Sequence, residues 1–286
     1  MASNPIIRAL RPCYESLFRL LAATPAKPTL LVKSRGCGFF GDVKITLNGI
    51  RFAEMTGIDC VVDWGKESLY FDPDAGKNVW EYFFSQSKFI FSHFSSRFSL
   101  PIPFYPSASD ILVYEGLDRR ESTFRAIERY CVPKMEITKS IDGYIREYFA
   151  SETLGVHFRG TDAAAGYEGR QVIALGRLET EMDKWLSAHP SGNIFLASDD
   201  AFVVEYLARR FAGVLHFRDH LRSKDGTSLH GHYDKGVAGN GYRKGSEVLI
   251  DALLLSKCVL LFHDGGSQVS SFAKTRNPAL PSVVLT

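Results

Sequence analysis

The chain has no excess of either charge, no cysteine pair and no long apolar run, and each absence narrows what it does. Its 286 residues carry 34 Lys and Arg against 32 Asp and Glu, a formal net charge of +2. So even a balance is not the footprint of a protein built to bind nucleic acid or an acidic membrane, and any anion site has to be local. The cysteines, Cys13, Cys37, Cys60, Cys131 and Cys258, are odd in number, scattered and without a CxxC spacing. That usage predicts reduced thiols in a cytoplasmic protein and no zinc site. Nowhere do 18 apolar residues follow one another, and charges interrupt the apolar stretches of the first 28 residues, so neither a membrane span nor a cleaved leader is expected.

What is present is a globular composition, with 45% hydrophobic and 23% charged residues. The length is roughly twice the ~150 residues of a typical domain, which predicts two domains. Apolar spacing predicts a leader helix over residues 6–23, ended by Pro25 and Pro28. TLLVKS (29–34), a glycine turn, a helix closed by Gly57 and the strand IDCVVDW then make a βαβ unit. An aromatic, proline-containing middle (70–118) and two helices around 119–149 follow. From residue 153 strands and helices alternate again: TLGVHFRG, LETEMDKWLSAH, NIFLASDD, AFVVEYLARRF, GVLHFRD, GSEVLIDALLLSKC, VLLFHDG and SQVSSFAKTR. This rhythm predicts an α/β fold with parallel sheets and a domain boundary near residue 150, giving domains 1–150 and 151–286.

The chemistry-bearing residues collect where strands of the second half end, the place where α/β sheets gather functional groups. LGVHFRGTD puts His157, Arg159, Thr161 and Asp162 after an apolar run; Arg159 offers a planar fork for a phosphate, with Asp162 to orient it or bind a hydroxyl and His157 to meet a base or ribose, or else Arg159 and Asp162 form a structural ion pair. FLASDD ends in Asp199 and Asp200, of which one is expected to cap the next helix. FHDGGSQ offers Gly265 and Gly266 ahead of Ser267 and Gln268 at a helix start, a phosphate cradle by its free N–H groups, or simply a Ser267 cap.

Three further motifs have more ordinary alternatives. GCGFFG (Gly36, Gly38, Gly41), with Asp63 some 20 residues on, matches the dinucleotide fingerprint of a nicotinamide or flavin enzyme. Asp42 at the helix start would repel a pyrophosphate, however, and the loop reads equally as part of another phosphate or sugar site, or as a plain turn. Asp72 and Asp74 form an Asp-x-Asp of the kind that holds a divalent cation and a nucleotide diphosphate, but Pro-Asp-Ala-Gly is a common turn. HGHYD (His230, His232, Asp234) resembles a metal pair without a third ligand nearby.

Taken in order, HFRGTD, FLASDD and DALLLSKCVLLFHDGGSQ resemble the three motifs shared by the α1,6-, α1,2- and protein O-fucosyltransferases, most closely the core α1,6 and rhizobial nodulation enzymes. The resemblance covers about residues 153–275, with support from CGFFGD. It implies a GT-B-like architecture, two Rossmann-like domains facing across a cleft, the nucleotide-sugar donor GDP-fucose held by the C-terminal one and the saccharide acceptor met from the other. It implies no metal and no cofactor. By matching position, Arg159 holds the β-phosphate, His157 and Asp251 lie at the guanosine, Ser267 and Gln268 face the diphosphate, and Asp199 and Asp200 shape the donor site, to which Gly38 is added. The chain departs from the α1,6 pattern after Thr-Asp, where Ala163 replaces a Lys and Glu168 is offset by one place from the catalytic Glu. Glu168 is therefore the first candidate for the general base and Asp162 the second. The expected activity is inverting, metal-independent sugar transfer, most simply of L-fucose. The alternatives are the same fold with another donor such as UDP-xylose, an NAD(P)-dependent enzyme using GCGFFG, and an inactive glycan-binding relative.

Overall fold

The computed structural model describes residues 29–85, 99–100, 119–161, 173–226 and 239–285, with single residues 13, 16, 17, 19, 20, 22, 23 and 229. Cys13, Ser16, Leu17, Arg19, Leu20 and Ala22 are helical, as the leader-helix spacing predicts. The chain divides into two compact units, Met1–Pro133 and Lys134–Thr286.

In the first unit, β1 (Thr29–Lys33) pairs in parallel with β2 (Asp59–Asp63) and with β3 (Ser99–Leu100), in the order β2-β1-β3. Between β1 and β2 runs α1 (Phe39–Thr56), which Gly57 ends in the left-handed conformation. Gly57 N–H donates to the Glu54 carbonyl and Ile58 N–H to that of Ala53, the paired bonds of a Schellman end. Of the aromatic middle, Tyr70, Trp80, Tyr82, Phe83 and Phe84 are core. Trp80 and Phe83 belong to the short helix α2 (Trp80–Phe83), and their rings meet those of Trp64 and Phe39 at 5.3 and 5.1 Å. The Tyr70 hydroxyl accepts the Phe39 N–H at 3.0 Å. Helix α3 (Arg119–Tyr130) returns to α1 through Arg51 with Ser122 and Arg129 with Glu54.

The second unit opens with α4 (Met135–Tyr148) and continues through β4 (Thr153–Phe158), α5 (Leu175–Ala188), β5 (Asn193–Ser198), α6 (Ala201–Arg210), β6 (Leu215–His216), α7 (Asn240–Leu255), β7 (Leu260–His263), α8 (Gln268–Arg276) and β8 (Ser282–Val284). Its five strands are all parallel, in the order β6-β5-β4-β7-β8. β4 is buried along its whole length, as a central parallel strand covered on both faces has to be. Leu154, Val156, Ile194 and Leu196 are fully buried in one cluster with Leu178 and Leu207, each adding about 1.5–3 kcal/mol of transfer free energy.

Three details differ from expectation. The units part at residue 133 rather than near 150, because α4 packs on α7 and Asn193 Nδ2 donates to the carbonyl of Tyr148, tying that helix to β5. β6 keeps only two residues of the expected GVLHFRD strand, the remainder leaving to form a charged loop. β8 has no periodic signal; its three residues are strand through pairing with β7, and only tertiary contact provides that.

Candidate functional site

The site follows from strand order. From β4 the chain moves outward to β5 and β6, then crosses back to β7 and β8, so the order reverses between β4 and β7. In open parallel sheets ligands bind outside the carboxyl ends of the strands at that reversal. Register carries the rest: Val156 lies opposite Phe262, so His157 and His263 come next to one another at the edge, followed by Arg159 on one side and Asp264 on the other.

At the end of β4, His157 is buried and its Nδ1 has no partner among the described residues. Burial pushes the imidazole below its ordinary 6.5, with Asp264 opposing and Arg159 reinforcing that shift; the ring is neutral. Arg159 is half-buried beside it. The turn beyond is tied down by Asp199, whose Oδ1 accepts the Gly160 N–H at 3.0 Å and whose Oδ2 accepts the Thr161 hydroxyl at 2.8 Å. A Cβ at Gly160 would collide with the Asp200 carboxylate, so the turn accepts only glycine at this approach. Asp200 caps α6, accepting the Val203 N–H at 3.1 Å. The expectation that one of the two carboxylates caps is met, and the other holds the Arg159 loop.

At the end of β7, the Gly265 N–H donates to His263 Nδ1 at 2.9 Å. The ring is thus neutral with its proton on Nε2, in line with a pKa pushed down to about 4 by burial, Lys274 and His157. Asp264 Oδ1 accepts the N–H groups of Gly266 and Ser267, both at 3.1 Å. Ser267 caps α8, its Oγ accepting the Val269 N–H at 3.2 Å, while Gln268 is exposed. Gly265 has φ +81°. Of the two readings of this turn, the Ser267 cap is present, and the N–H groups of Gly266 and Ser267 are taken by Asp264.

Asp251 faces inward from α7. Its Oδ1 accepts from Arg218 Nη1 at 3.1 Å and its Oδ2 from His220 Nε2 at 2.8 Å. Burial raises the Asp251 carboxyl, and the two cations more than offset this and hold it below the ordinary range. His220 is raised: burial works against its charge, and the Asp251 carboxylate outweighs that. Glu247 extends the cluster, accepting the Leu221 N–H at 3.2 Å and Arg243 Nε at 2.8 Å. Sequence reasoning missed Arg218, His220, His263 and Asp264. The last two sit inside a motif it had marked, but only strand register sets them beside His157; Arg218 and His220 carry no local signal at all.

In the first unit, the GCGFFG loop is closed on itself. Asp42 accepts from the Ser34 hydroxyl, the Arg35 N–H at 3.0 Å and the Cys37 thiol at 3.0 Å, and the Gly36 N–H donates to Ser34 Oγ. Gly38 is the N-cap residue of α1, its carbonyl accepting from Gly41 and Asp42. A carboxylate thus takes the place a pyrophosphate would need, which weighs against the dinucleotide reading. Asp72 Oδ1 accepts the Asp74 N–H at 3.1 Å and its carbonyl accepts the Tyr82 hydroxyl, so Asp-x-Asp is a turn here. Among the described residues no group of three or more His, Cys, Asp or Glu side chains is arranged to hold a metal ion, and no helix is long and apolar enough to cross a membrane. Asp162, Glu168, His230, His232 and Asp234 lie outside the described residues.

Two α/β units, each on a parallel sheet, make a GT-B-like fold. Solved structures share it. The NodZ alpha-1,6-fucosyltransferase soaked with GDP-fucose superposes with a TM-score of 0.58 at 17% identity, over 88% of this chain and 93% of that one. The selenomethionine form of fucosyltransferase NodZ from Bradyrhizobium gives 0.57 at 18% identity, over 87% and 91%. POFUT1 in complex with GDP-fucose gives 0.55 at 11% identity, over 92% and 99%. At these identities the likeness is one of fold, and at that level the resemblance expected from the three strand-end motifs is met. No protein-family model matches the chain, and no curated protein matches its sequence.

Proposed function

We propose that the chain is an inverting, metal-independent glycosyltransferase that moves L-fucose from GDP-fucose onto a hydroxyl of a saccharide acceptor. One observation carries the reading: His157, Arg159 and the 264–268 turn stand together at the strand-order reversal of a fold shared with NodZ, which was solved with GDP-fucose. The second unit takes the donor and the first unit the acceptor. Arg159, always cationic and bidentate, and the start of α8 stabilise the charge that grows on the departing diphosphate. His157 lies at the nucleoside, and Asp199 holds the Arg159 loop in place. Asp251 meets the guanine; its carboxylate has about four acceptor sites, of which Arg218 and His220 take one each.

In the reaction the acceptor oxygen attacks the anomeric carbon from the face opposite the diphosphate. The carbon–oxygen bond to the β-phosphate breaks, its electron pair leaves with GDP, and the acceptor proton passes to a carboxylate. Glu168 is the first candidate for that base and Asp162 the second.

Thermal-shift measurement against GDP, UDP and NAD tests the reading. A ligand at 100 times its dissociation constant adds about 2.7 kcal/mol of stability. GDP should stabilise the chain; stabilisation by UDP alone would move the donor to a UDP-sugar such as UDP-xylose, and stabilisation by NAD alone would end the glycosyltransferase reading.

A further inference from the structure

Asp42 in the first unit and Asp264 in the second each accept backbone N–H at a glycine-containing turn that follows a strand, and the two differ in how many oxygens they spend. In the first unit both oxygens of Asp42 are engaged, by Ser34 on one side and by Arg35 and Cys37 on the other. That carboxylate is a permanent lock. In the second unit Asp264 spends only Oδ1, on Gly266 and Ser267. Its Oδ2 has no partner among the described residues although the residue is only 8% exposed. A buried oxygen left unsatisfied is costly and calls for an explanation.

Two more such atoms adjoin it. His157 Nδ1 and His263 Nε2 are likewise buried and unpartnered among the described residues, at 6% and 3% exposure. His263 is held neutral by the Gly265 N–H that it accepts, so it places a dipole beside Asp264 and no compensating charge. The carboxylate thus sits at the mouth of a nine-residue helix, at the reversal of strand order, on the N–H groups an anionic ligand seeks there.

We propose that Asp264 is a built-in anion of the donor cradle, which a diphosphate has to displace from Gly266 and Ser267, and that it thereby limits nucleotide affinity; this rests on the donor-site reading above. A like charge facing the incoming diphosphate opposes binding, and its removal favours it. Asp264 limits affinity in this account and is not a ligand contact.

The test is calorimetric titration of GDP and of inorganic pyrophosphate into the full chain and into Asp264→Asn and Asp264→Thr. Both replacements keep an oxygen for the Gly266 and Ser267 N–H groups and lose the charge. Each variant should bind each probe about tenfold tighter than the wild type, a difference typical of one removed like charge. Equal affinities overturn the proposal, because the carboxylate then does not compete. Weaker binding at an unchanged melting temperature also overturns it, because Asp264 is then a ligand contact. Should both variants fail to fold, the wild type decides: its Gly266 and Ser267 amide resonances should shift when pyrophosphate binds, and unshifted resonances with the probe bound refute displacement. Tighter pyrophosphate binding in the variants with no GDP binding by any of the three keeps the role of Asp264 and ends the nucleotide reading. Binding of neither probe by any of them ends both.

Discussion

Asp251→Asn should destabilise the second unit by about 3 kcal/mol at pH 6 and by clearly less at pH 9. The magnitude comes from the cluster around α7. Asp251 is almost fully buried and joins Arg218 and His220, whose side chains are also mostly buried. Removing one partner from a buried ion pair costs about 3–5 kcal/mol. Asparagine keeps the volume and one acceptor oxygen, which sets the expectation at the lower end. The pH dependence comes from His220. Its Nε2 faces the Asp251 carboxylate at 2.8 Å and its Nδ1 faces the Leu221 carbonyl at 3.0 Å. Both partners are acceptors, so both ring nitrogens have to donate, and only the imidazolium does that.

The signs follow from the direction in which folding moves each group. His220 is raised in the fold, so its contribution is fully present below its ordinary 6.5 and is lost as pH rises through the raised value. Every tenfold gain in proton affinity on folding is worth about 1.4 kcal/mol. Asp251 is lowered, so its contribution is present above its ordinary 3.8 and is lost as pH falls through the lowered value. Between those limits the wild type gains most from the pair. Urea unfolding of both proteins at pH 6 and pH 9, with hydrogen exchange of the α7 amides as the local readout, measures the gap. An identical gap at the two pH values would show that His220 loses no proton between them and refute the reasoning.

Arg159→Ala should abolish transfer and weaken GDP binding, and Arg159→Lys should rescue little, since a point charge does not replace a bidentate fork; near-normal activity of the lysine variant in a radiolabelled transfer assay would remove Arg159 from the phosphate role. Glu168→Gln should lower kcat by about 10²-fold or more with nucleotide affinity unchanged, the pattern of a general base. Normal turnover by that variant together with a dead Asp162→Asn would reverse the order of the two candidates. Transfer should persist in excess EDTA, because the Asp72 carboxylate is spent on its own turn and Arg159 with the α8 start carries the cationic work; loss of activity that Mn²⁺ restores would overturn this.

Much of the site was legible because strand ends announce themselves locally. An apolar run followed by His, Arg, Thr and Asp has few other meanings in a βα rhythm, so His157, Arg159, Asp199 and Ser267 were named from sequence, and a capping role for one of Asp199 and Asp200 followed from helix-start chemistry. The residues that escaped share one property. His263, Asp264, Arg218 and His220 matter through what stands beside them, and their neighbours are distant in the chain: His263 lies 106 positions from His157, and His220 lies 31 from Asp251.

Local patterning therefore determined the α/β class, the parallel sheets, nearly every helix and strand of the second half, and the strand ends at which chemistry collects, since those depend on periodicity and caps within a few residues. Tertiary structure alone decided the strand order β6-β5-β4-β7-β8, and with it which two ends share the reversal. It also decided that α4 belongs to the second unit and that the carboxylates of Asp42 and Asp264 occupy turns whose glycines had suggested a phosphate. The reason is common to all three: which groups a buried carboxylate or a helix face satisfies is settled by whatever packing brings within hydrogen-bond reach, and sequence spacing does not encode that distance.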